Sequence, residues 1–114
     1  MPPSAVRLHR WDEIALEKIT EMISRKIVPG DRMTLAHVYL KRGALVPMHH
    51  HESEQMTYVL QGTLRCLVGA EEIIVREGEV LHIPPNLPHQ AEALDDTLEL
   101  DAFSPVRNDW VTGW

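Results

Sequence analysis

Residues 43–62 read GALVPMHHHESEQMTYVLQG and contain three consecutive histidines, His49, His50 and His51. In an extended strand successive side chains point to opposite faces, so His49 and His51 share one face while His50 points away from it. Two imidazoles on one face of a strand can chelate a metal ion. The stretch therefore predicts a metal site that excludes His50.

Two further side chains can complete this site. Gln55 lies four residues after His51 and offers a carbonyl oxygen, and His89 follows the proline-rich turn IPPNLP. That turn would bring a later strand back beside the first, so that three nitrogens and one oxygen converge. We predict His49, His51, Gln55 and His89 as ligands of one divalent transition metal ion. Zinc, nickel, iron, cobalt or manganese suits this set, whereas copper(I) prefers sulfur.

The rest of the chain consists of short β-rich runs separated by Gly and Pro turn signals. Several runs alternate in the strand manner, as in TLRCLV at residues 63–68. We predict strands from Ile19 onward, although residues 11–22 can also be drawn as an amphipathic helix. Many short strands without a long helix or a repeat indicate an all-β fold, a sandwich or a jelly-roll barrel.

The stretch at residues 43–62 resembles the first sequence motif of the cupin superfamily, in which a glycine, two histidines, a glutamate and a second glycine recur. The matching residues are Gly43, His49, His51 and Gly62. Gln55 stands where cupins usually have the glutamate. Because a neutral amide cannot offset the charge of a metal ion, this departure predicts a stronger Lewis acid.

Residues 78–93 resemble the second cupin motif, with matches at Gly78, Pro84 and His89. Asn86 replaces a usual glycine, but asparagine tolerates a left-handed backbone and should keep the turn. Ala93 replaces a usual asparagine that is not a ligand. A cupin barrel that has lost its metal is the alternative to the metal site.

The resemblance implies a single-domain cupin, a jelly-roll β-barrel, over residues 1–114. Residues 1–15 lack a clear period and form either an N-terminal arm, lying on the domain or on a partner subunit, or a loosely ordered tail. A small barrel leaves sheet edges, and Trp11 needs a surface on which to bury its ring. A homodimer is therefore expected.

The end of the chain, LELDAFSPVRNDW at residues 98–110, resembles the close of small cupins that open unsaturated uronate sugars during pectin and alginate breakdown. Those proteins share the glutamine in place of the usual glutamate ligand. An aspartate, a phenylalanine and an arginine of this tail act on the substrate in that family. By position they carry over to Asp101, Phe103 and Arg107 as candidate catalytic residues.

The same residues stand out without the resemblance. Glu99, Asp101 and Phe103 share one face of a strand whose other face carries two leucines and an alanine. Either the acidic face lines the barrel, which the resemblance favours, or it faces solvent and the leucines form the core. Arg107 either clamps a substrate carboxylate or forms a surface ion pair with Asp101 or Asp109, which would contribute only about 0–1 kcal/mol.

The composition of the chain limits the classes of partner and the cellular location that we expect. A net charge of -6 without a basic run argues against nucleic acid. No stretch approaches the roughly 20 apolar residues of a membrane span, and none resembles a signal peptide, so a cytoplasmic protein is expected. The single cysteine, Cys66, excludes an intramolecular disulfide and is expected to be a small buried hydrophobe.

Three functions remain open at this stage. The first is a metal-dependent enzyme that converts 4,5-unsaturated monouronates into linear keto sugar acids. The second is a non-catalytic cupin in which the same metal and Arg107 hold a small anionic sugar or metabolite. The third, a cupin dioxygenase, is disfavoured because such enzymes usually keep a Glu or another anionic ligand on their iron.

Overall fold

The computed structural model describes residues 6–107, which form ten β-strands and one 3-10 turn, Trp11–Glu13. The strands are β1 (Glu17–Lys18), β2 (Ile23–Pro29), β3 (Thr34–Leu40), β4 (Leu45–His49), β5 (Glu54–Gln61), β6 (Thr63–Val68), β7 (Glu71–Arg76), β8 (Val80–Ile83), β9 (His89–Ala93) and β10 (Thr97–Ser104). Within that range no helix has the length and apolar character needed to cross a membrane. The predicted all-β class is confirmed.

The strands form two antiparallel sheets. The larger sheet has the order β1-β2-β3-β10-β5-β8, and the smaller has the order β4-β9-β6-β7. Neighbours such as β3 and β10, or β4 and β9, are distant in sequence, which is the connectivity of a jelly roll rather than of a meander. The last strand of the chain is thereby inserted between β3 and β5, in the middle of the larger sheet.

The core lies between the two sheets. Along the strands, buried side chains alternate with more exposed ones. Alternate residues of β3 and β10 are buried, and their neighbours are partly exposed. Ala36 and Val59 of the larger sheet and Leu64 of the smaller one are fully buried. Each sheet therefore turns one face inward and the other toward solvent, as expected for packed antiparallel sheets.

The segment before β2 departs from the prediction. Strand structure was expected from Ile19, but β2 begins at Ile23. The Thr20 hydroxyl accepts hydrogen bonds from the backbone N–H groups of Met22 and Ile23, and the N–H groups of Ile19 and Thr20 both donate to the Ile23 carbonyl. A threonine that closes a tight turn in this way ends the extended run. The helical alternative is also wrong, since residues 11–22 contain the 3-10 turn and the short strand β1 but no α-helix.

Trp11 packs on its own chain. Its ring stacks on His37 of β3 with centroids 3.7 Å apart, and its carbonyl oxygen accepts a hydrogen bond from Lys26 Nζ at 2.7 Å. The expected homodimer stays a prediction, but Trp11 does not support it because the ring has a surface within the chain. Residues 1–5 of the expected arm lie outside the described residues.

Several turns contain a residue with positive φ, in the left-handed region of backbone conformation. Asn86 has φ 63°, so the asparagine in the second motif keeps the conformation of the glycine it replaces. Gly62, between β5 and β6, has φ 95° and lies against Asp96 and Thr97. The β5–β6 hairpin can therefore pack on the start of β10 only with a glycine at this position.

We predict that Gly62→Ala destabilises the fold much more than Gly78→Ala does. Both glycines have positive φ, at 95° and 83°, so alanine costs about 1–2 kcal/mol at either position. At Gly62 the new Cβ would also lie 2.4 Å from Thr97 Oγ1 and 2.5 Å from the Asp96 carbonyl oxygen, whereas at Gly78 nothing lies within 4 Å. Urea denaturation measures the difference, and equal losses would contradict the prediction.

Candidate functional site

Three histidines meet at the junction of β4 and β9. His49 ends β4, His89 begins β9, and the two residues are paired across the sheet. His51 follows in extended chain, and the candidate ligand atoms of all three lie within 4.8 Å of one another. His50 between them is exposed. The structure thus brings together the predicted histidine ligands and leaves His50 outside, although β4 itself ends before His51.

Backbone hydrogen bonds fix the tautomer of each ring. In all three histidines Nδ1 lies 2.8–2.9 Å from the carbonyl oxygen of a residue two positions away in the chain. A carbonyl oxygen only accepts, so each Nδ1 carries the proton and donates. Each Nε2 is then left with a free lone pair. This is how metal-binding imidazoles are usually oriented.

The Nε2 atoms of His51 and His89 receive no hydrogen bond from a donor group of the protein. Among the described residues, His89 Nε2 is the only fully buried side-chain nitrogen or oxygen without a hydrogen-bond partner. His51 Nε2 faces Gln55 Oε1 at 3.0 Å. Because the Gln55 amide nitrogen donates to Thr57 Oγ1 at 2.8 Å, its oxygen is the atom turned toward the ring. Two acceptors at this distance repel each other unless a cation lies against both.

The histidines are neutral at physiological pH, which is the form that binds metals. Burial lowers the pKa of all three rings and brings that of His49 to about 4. The positive charge of Arg107 lowers all three pKa values further. A metal ion would therefore meet unprotonated ligands. Three imidazole nitrogens and the Gln55 oxygen fit a divalent transition metal ion.

Asp101 lies next to this donor set on β10. The Thr57 hydroxyl donates to Asp101 Oδ1 at 2.7 Å, and the Gln55 amide nitrogen lies 3.5 Å from the same oxygen. Burial raises the pKa of Asp101 to about 6, while these hydrogen bonds and the Arg107 charge oppose the rise. The carboxyl group is thus joined to the metal side of the site through Gln55.

Phe103 and Arg107 are the other two residues predicted to act on a substrate. The Phe103 ring lies 5.5 Å from the His51 ring, and the Arg107 guanidinium carbon lies 4.9 Å from the centroid of Phe103. Arg107 is only 6% exposed, so its side chain is buried rather than on the surface. Asp109, one of the two ion-pair partners considered from the sequence, lies outside the described residues.

The acidic face of β10 lines the barrel. Glu99, Asp101 and Phe103 are buried, at 6%, 4% and 2% exposure, and contribute to a cavity of about 60 Å³ between the two sheets. His49 and Arg107 line the same cavity. Of the two orientations that the sequence left open, the one that places the acids inside is therefore the one observed.

Sequence reasoning missed two buried polar residues of the cavity. Thr57 lies two positions after Gln55 on β5, and Arg25 lies between Ile23 and Ile27 on the inward face of β2. Arg25 is buried and its Nε donates to Glu17 at 2.5 Å. Strand parity would have assigned both to the inward face, since each shares a period of two with a core or site residue.

Cys66 also lines the cavity, on β6 of the smaller sheet. The thiol is buried and forms no disulfide. Burial raises its pKa to about 12, and the nearby Glu99 and Asp101 add to the rise. It is therefore unreactive as a nucleophile at neutral pH, in line with the expected small buried hydrophobe.

We predict that His49→Ala, His51→Ala and His89→Ala each lose the bound metal and that His50→Ala keeps it. Each of the first three changes removes one of the converging nitrogens, whereas the exposed His50 is the matched control on the same segment. Elemental analysis of the purified variants gives the metal content per chain. Metal loss from His50→Ala, or full occupancy in His89→Ala, would contradict this assignment.

Comparison with known proteins agrees with the fold and the site. Residues 36–104 match the Cupin domain family. The chain is 28% identical to the pectin degradation protein KdgF of Dickeya dadantii over 103 residues, which cover 88% of this chain and 94% of that protein. It superposes on the structure of KdgF from Halomonas sp. with a TM-score of 0.81 and 32% identity, covering 86% and 92% of the two chains.

A more distant structure shares the fold alone. Oxalate decarboxylase of Bacillus subtilis, which has Mn(II) centres, superposes with a TM-score of 0.75 at 20% identity. The match covers 83% of this chain and 28% of that one. The family match spans more than half of the chain and includes both histidine motifs, so the chain belongs to the cupin domain family.

Proposed function

We propose that this chain is a metal-dependent cupin that converts 4,5-unsaturated monouronates from pectin or alginate into linear keto sugar acids. One observation carries the proposal: His49, His89 and Gln55 of the donor set line one cavity with a buried carboxyl group and a buried guanidinium, and His51 completes the histidine group beside them. The relationship to KdgF, a pectin degradation protein, supports this substrate class.

The proposed reaction is an isomerisation. The bond between the anomeric carbon and the ring oxygen breaks, and the anomeric hydroxyl loses its proton. The ring carbon at the far end of the enol double bond gains a proton. The product is an open-chain aldehyde and ketone with no net gain or loss of atoms. Such a reaction needs a group that moves protons and a site that tolerates negative charge on the enol oxygen.

The donor set and Asp101 provide these two functions. A divalent ion held by His49, His51, His89 and Gln55 would supply a Lewis acid that stabilises negative charge on oxygen. Asp101 lines the cavity and can accept the hydroxyl proton and return it to carbon. The hydrogen bond from Thr57 orients the Asp101 carboxyl group for this proton transfer.

Arg107 and Phe103 would position the substrate. A buried guanidinium binds a carboxylate with two parallel hydrogen bonds, and a uronate carries one carboxylate. The Phe103 ring lies between Arg107 and His51 and limits where the sugar ring can move. A cavity of about 60 Å³ has room for only a few waters at ~10–15 Å³ each. It thus suits the reacting end of a monosaccharide rather than a longer chain.

We also propose a cytoplasmic location and assembly as a homodimer. Both fit a small enzyme of sugar-acid metabolism.

The alternative is a non-catalytic cupin. It would use the same ion and Arg107 to hold an anionic metabolite without Asp101 moving a proton. Turnover separates the two functions.

We predict that the metal-loaded protein removes the ultraviolet absorbance of the conjugated double bond in a 4,5-unsaturated monouronate. Asp101→Asn should lower kcat by about 10²–10⁴-fold with little change in KM, because it removes a proton-transfer group. Arg107→Ala should mainly raise KM, roughly tenfold or more, because a charged hydrogen bond contributes about 1.5–3 kcal/mol. Phe103→Ala should have a smaller effect than either, because the ring only positions the substrate.

His50→Ala is the control for these assays, and metal content is measured for every variant. If wild-type protein with its ion confirmed leaves pectin-derived and alginate-derived monouronates decaying at the buffer rate, the enzymatic function fails. The binding function then takes its place.

We also predict that Gln55→Glu keeps or strengthens metal binding but slows turnover. A carboxylate would add negative charge to the ligand set and weaken its Lewis acidity. It would also lose the amide donor to Thr57 and place a second negative charge beside Asp101. Titration with zinc measures the affinity, and the absorbance assay measures kcat. Unchanged turnover would argue against this role of the amide.

A further inference from the structure

The outward face of the larger sheet is apolar along its middle strands. On β10 the side chains that alternate with the buried ones are Leu98, Leu100 and Ala102, and all three are half-buried. Their cross-strand partners on β3 and β5 include Tyr39, Tyr58 and Met56. We refer to these six residues as the leucine face. Met56 is 47% exposed and Tyr58 is 38% exposed, so solvent reaches the middle of this face.

This arrangement inverts the usual pattern of an antiparallel sheet, in which the inward face is apolar and the outward face is polar. The inward side chains of β10 are Glu99, Asp101 and Phe103, which line the cavity described above. The cavity does not account for the outward leucines. The N-terminal segment covers one corner of the neighbouring surface, where Trp11 stacks on His37 of β3. Contact with another molecule would bury the remaining apolar side chains.

The leucine face is uncharged, and charged groups lie at its margins. Lys26 of β2 is paired in register with His37, and Glu54 Oε2 of β5 lies 2.6 Å from His82 Nε2 of β8. Two copies of a chain with a net charge of -6 repel each other at long range. They can approach most closely through a face without charge. The same net charge disfavours anionic partners such as nucleic acid or an acidic membrane surface.

The outward side of the larger sheet is large enough for a stable interface between two copies. Five strands, from β2 to β8, are paired in rows such as Lys26–His37–Leu100–Tyr58–Val80. With about 4.8 Å between strands and ~3.4 Å per residue, three rows of outward side chains span roughly 500 Å² on each copy. Two copies would bury about 1,000 Å², the lower bound for a specific interface. An apolar patch of this size is often functional.

We propose that the leucine face packs on the leucine face of a second copy across a two-fold axis. Apolar faces of two sheets pack about 10 Å apart, and a two-fold axis lets each copy contribute the same surface. Tyr39 and Tyr58 can bury their rings in such an interface while their hydroxyl groups keep contact with water. This inference rests on the homodimer proposed above and does not depend on the proposed reaction.

The test is sedimentation equilibrium of the purified, metal-loaded full chain over about a hundredfold range of concentration. Wild type should have twice the chain mass of 13.0 kDa. Met56→Lys should weaken the dimer at least about 100-fold, because it would place an unpaired charge in the apolar centre of the interface. Val80→Lys is a second variant, at 56% exposure and opposite Tyr58 on β8, and should act in the same direction.

Met48→Lys is the matched control. Met48 lies on β4 of the smaller sheet and has the same 47% exposure as Met56. Each methionine is also next to a proposed metal ligand, because Met48 precedes His49 and Met56 follows Gln55. Met48→Lys should therefore dimerise as wild type does. Circular dichroism checks that each variant is folded.

A wild-type monomer over the whole range would overturn both the homodimer and the interface. If that monomer sediments with neutral phosphatidylcholine vesicles, the leucine face belongs to a lipid surface instead. A dimer that Met56→Lys and Val80→Lys leave intact, or that Met48→Lys weakens equally, would overturn the interface alone. Uronate turnover is measured separately, so failure of the proposed reaction leaves this result unchanged.

Discussion

The Gln55 side chain is the group on which the rest of the site depends, because it faces two kinds of partner at once. Its oxygen lies 3.0 Å from His51 Nε2, and its amide nitrogen donates to Thr57 and lies close to Asp101. A glutamate would serve the metal side but could not donate to the acid side. It would also add a further negative charge to an interior that already contains two carboxyl groups. A neutral side chain at position 55 thus suits the contact with Asp101 as well as the proposed metal site.

The backbone register of β10 places these groups opposite one another. In the pairing with β5, Asp101 lies across from Thr57 and Phe103 across from Gln55. β10 lies between β3 and β5, so its inward side chains point into the barrel from the middle of the larger sheet. A slip of one residue would turn the acids to solvent and bring the leucines inside. The placement of Asp101 and Phe103 opposite Thr57 and Gln55 is therefore set by strand pairing.

The sequence revealed what strand parity and turn chemistry can determine. The convergence of His49 and His51, the exposure of His50 and the left-handed turn at Asn86 all follow from properties of single residues and their neighbours. The orientation of β10 does not, because both faces are plausible as a core until the opposite sheet is known. The turn before β2 was missed for a related reason: the Thr20 hydroxyl overrides the local preference of a β-rich segment.

The polar interior is costly for a small domain, since a buried charge must be paired or neutralised. Arg25 is paired with Glu17, the histidines are neutral, and burial raises the pKa of Glu99 well above its ordinary value. The positive charge of Arg107 opposes the rise in the pKa of Asp101 that burial causes in the same cavity. A bound divalent ion would leave its positive charge uncompensated there, even though the whole chain carries a net charge of -6. An anionic ligand would be attracted by this local excess, whereas a glutamate at position 55 would cancel part of it. A neutral glutamine at position 55 would thus leave the cavity more attractive to a carboxylate than a glutamate would.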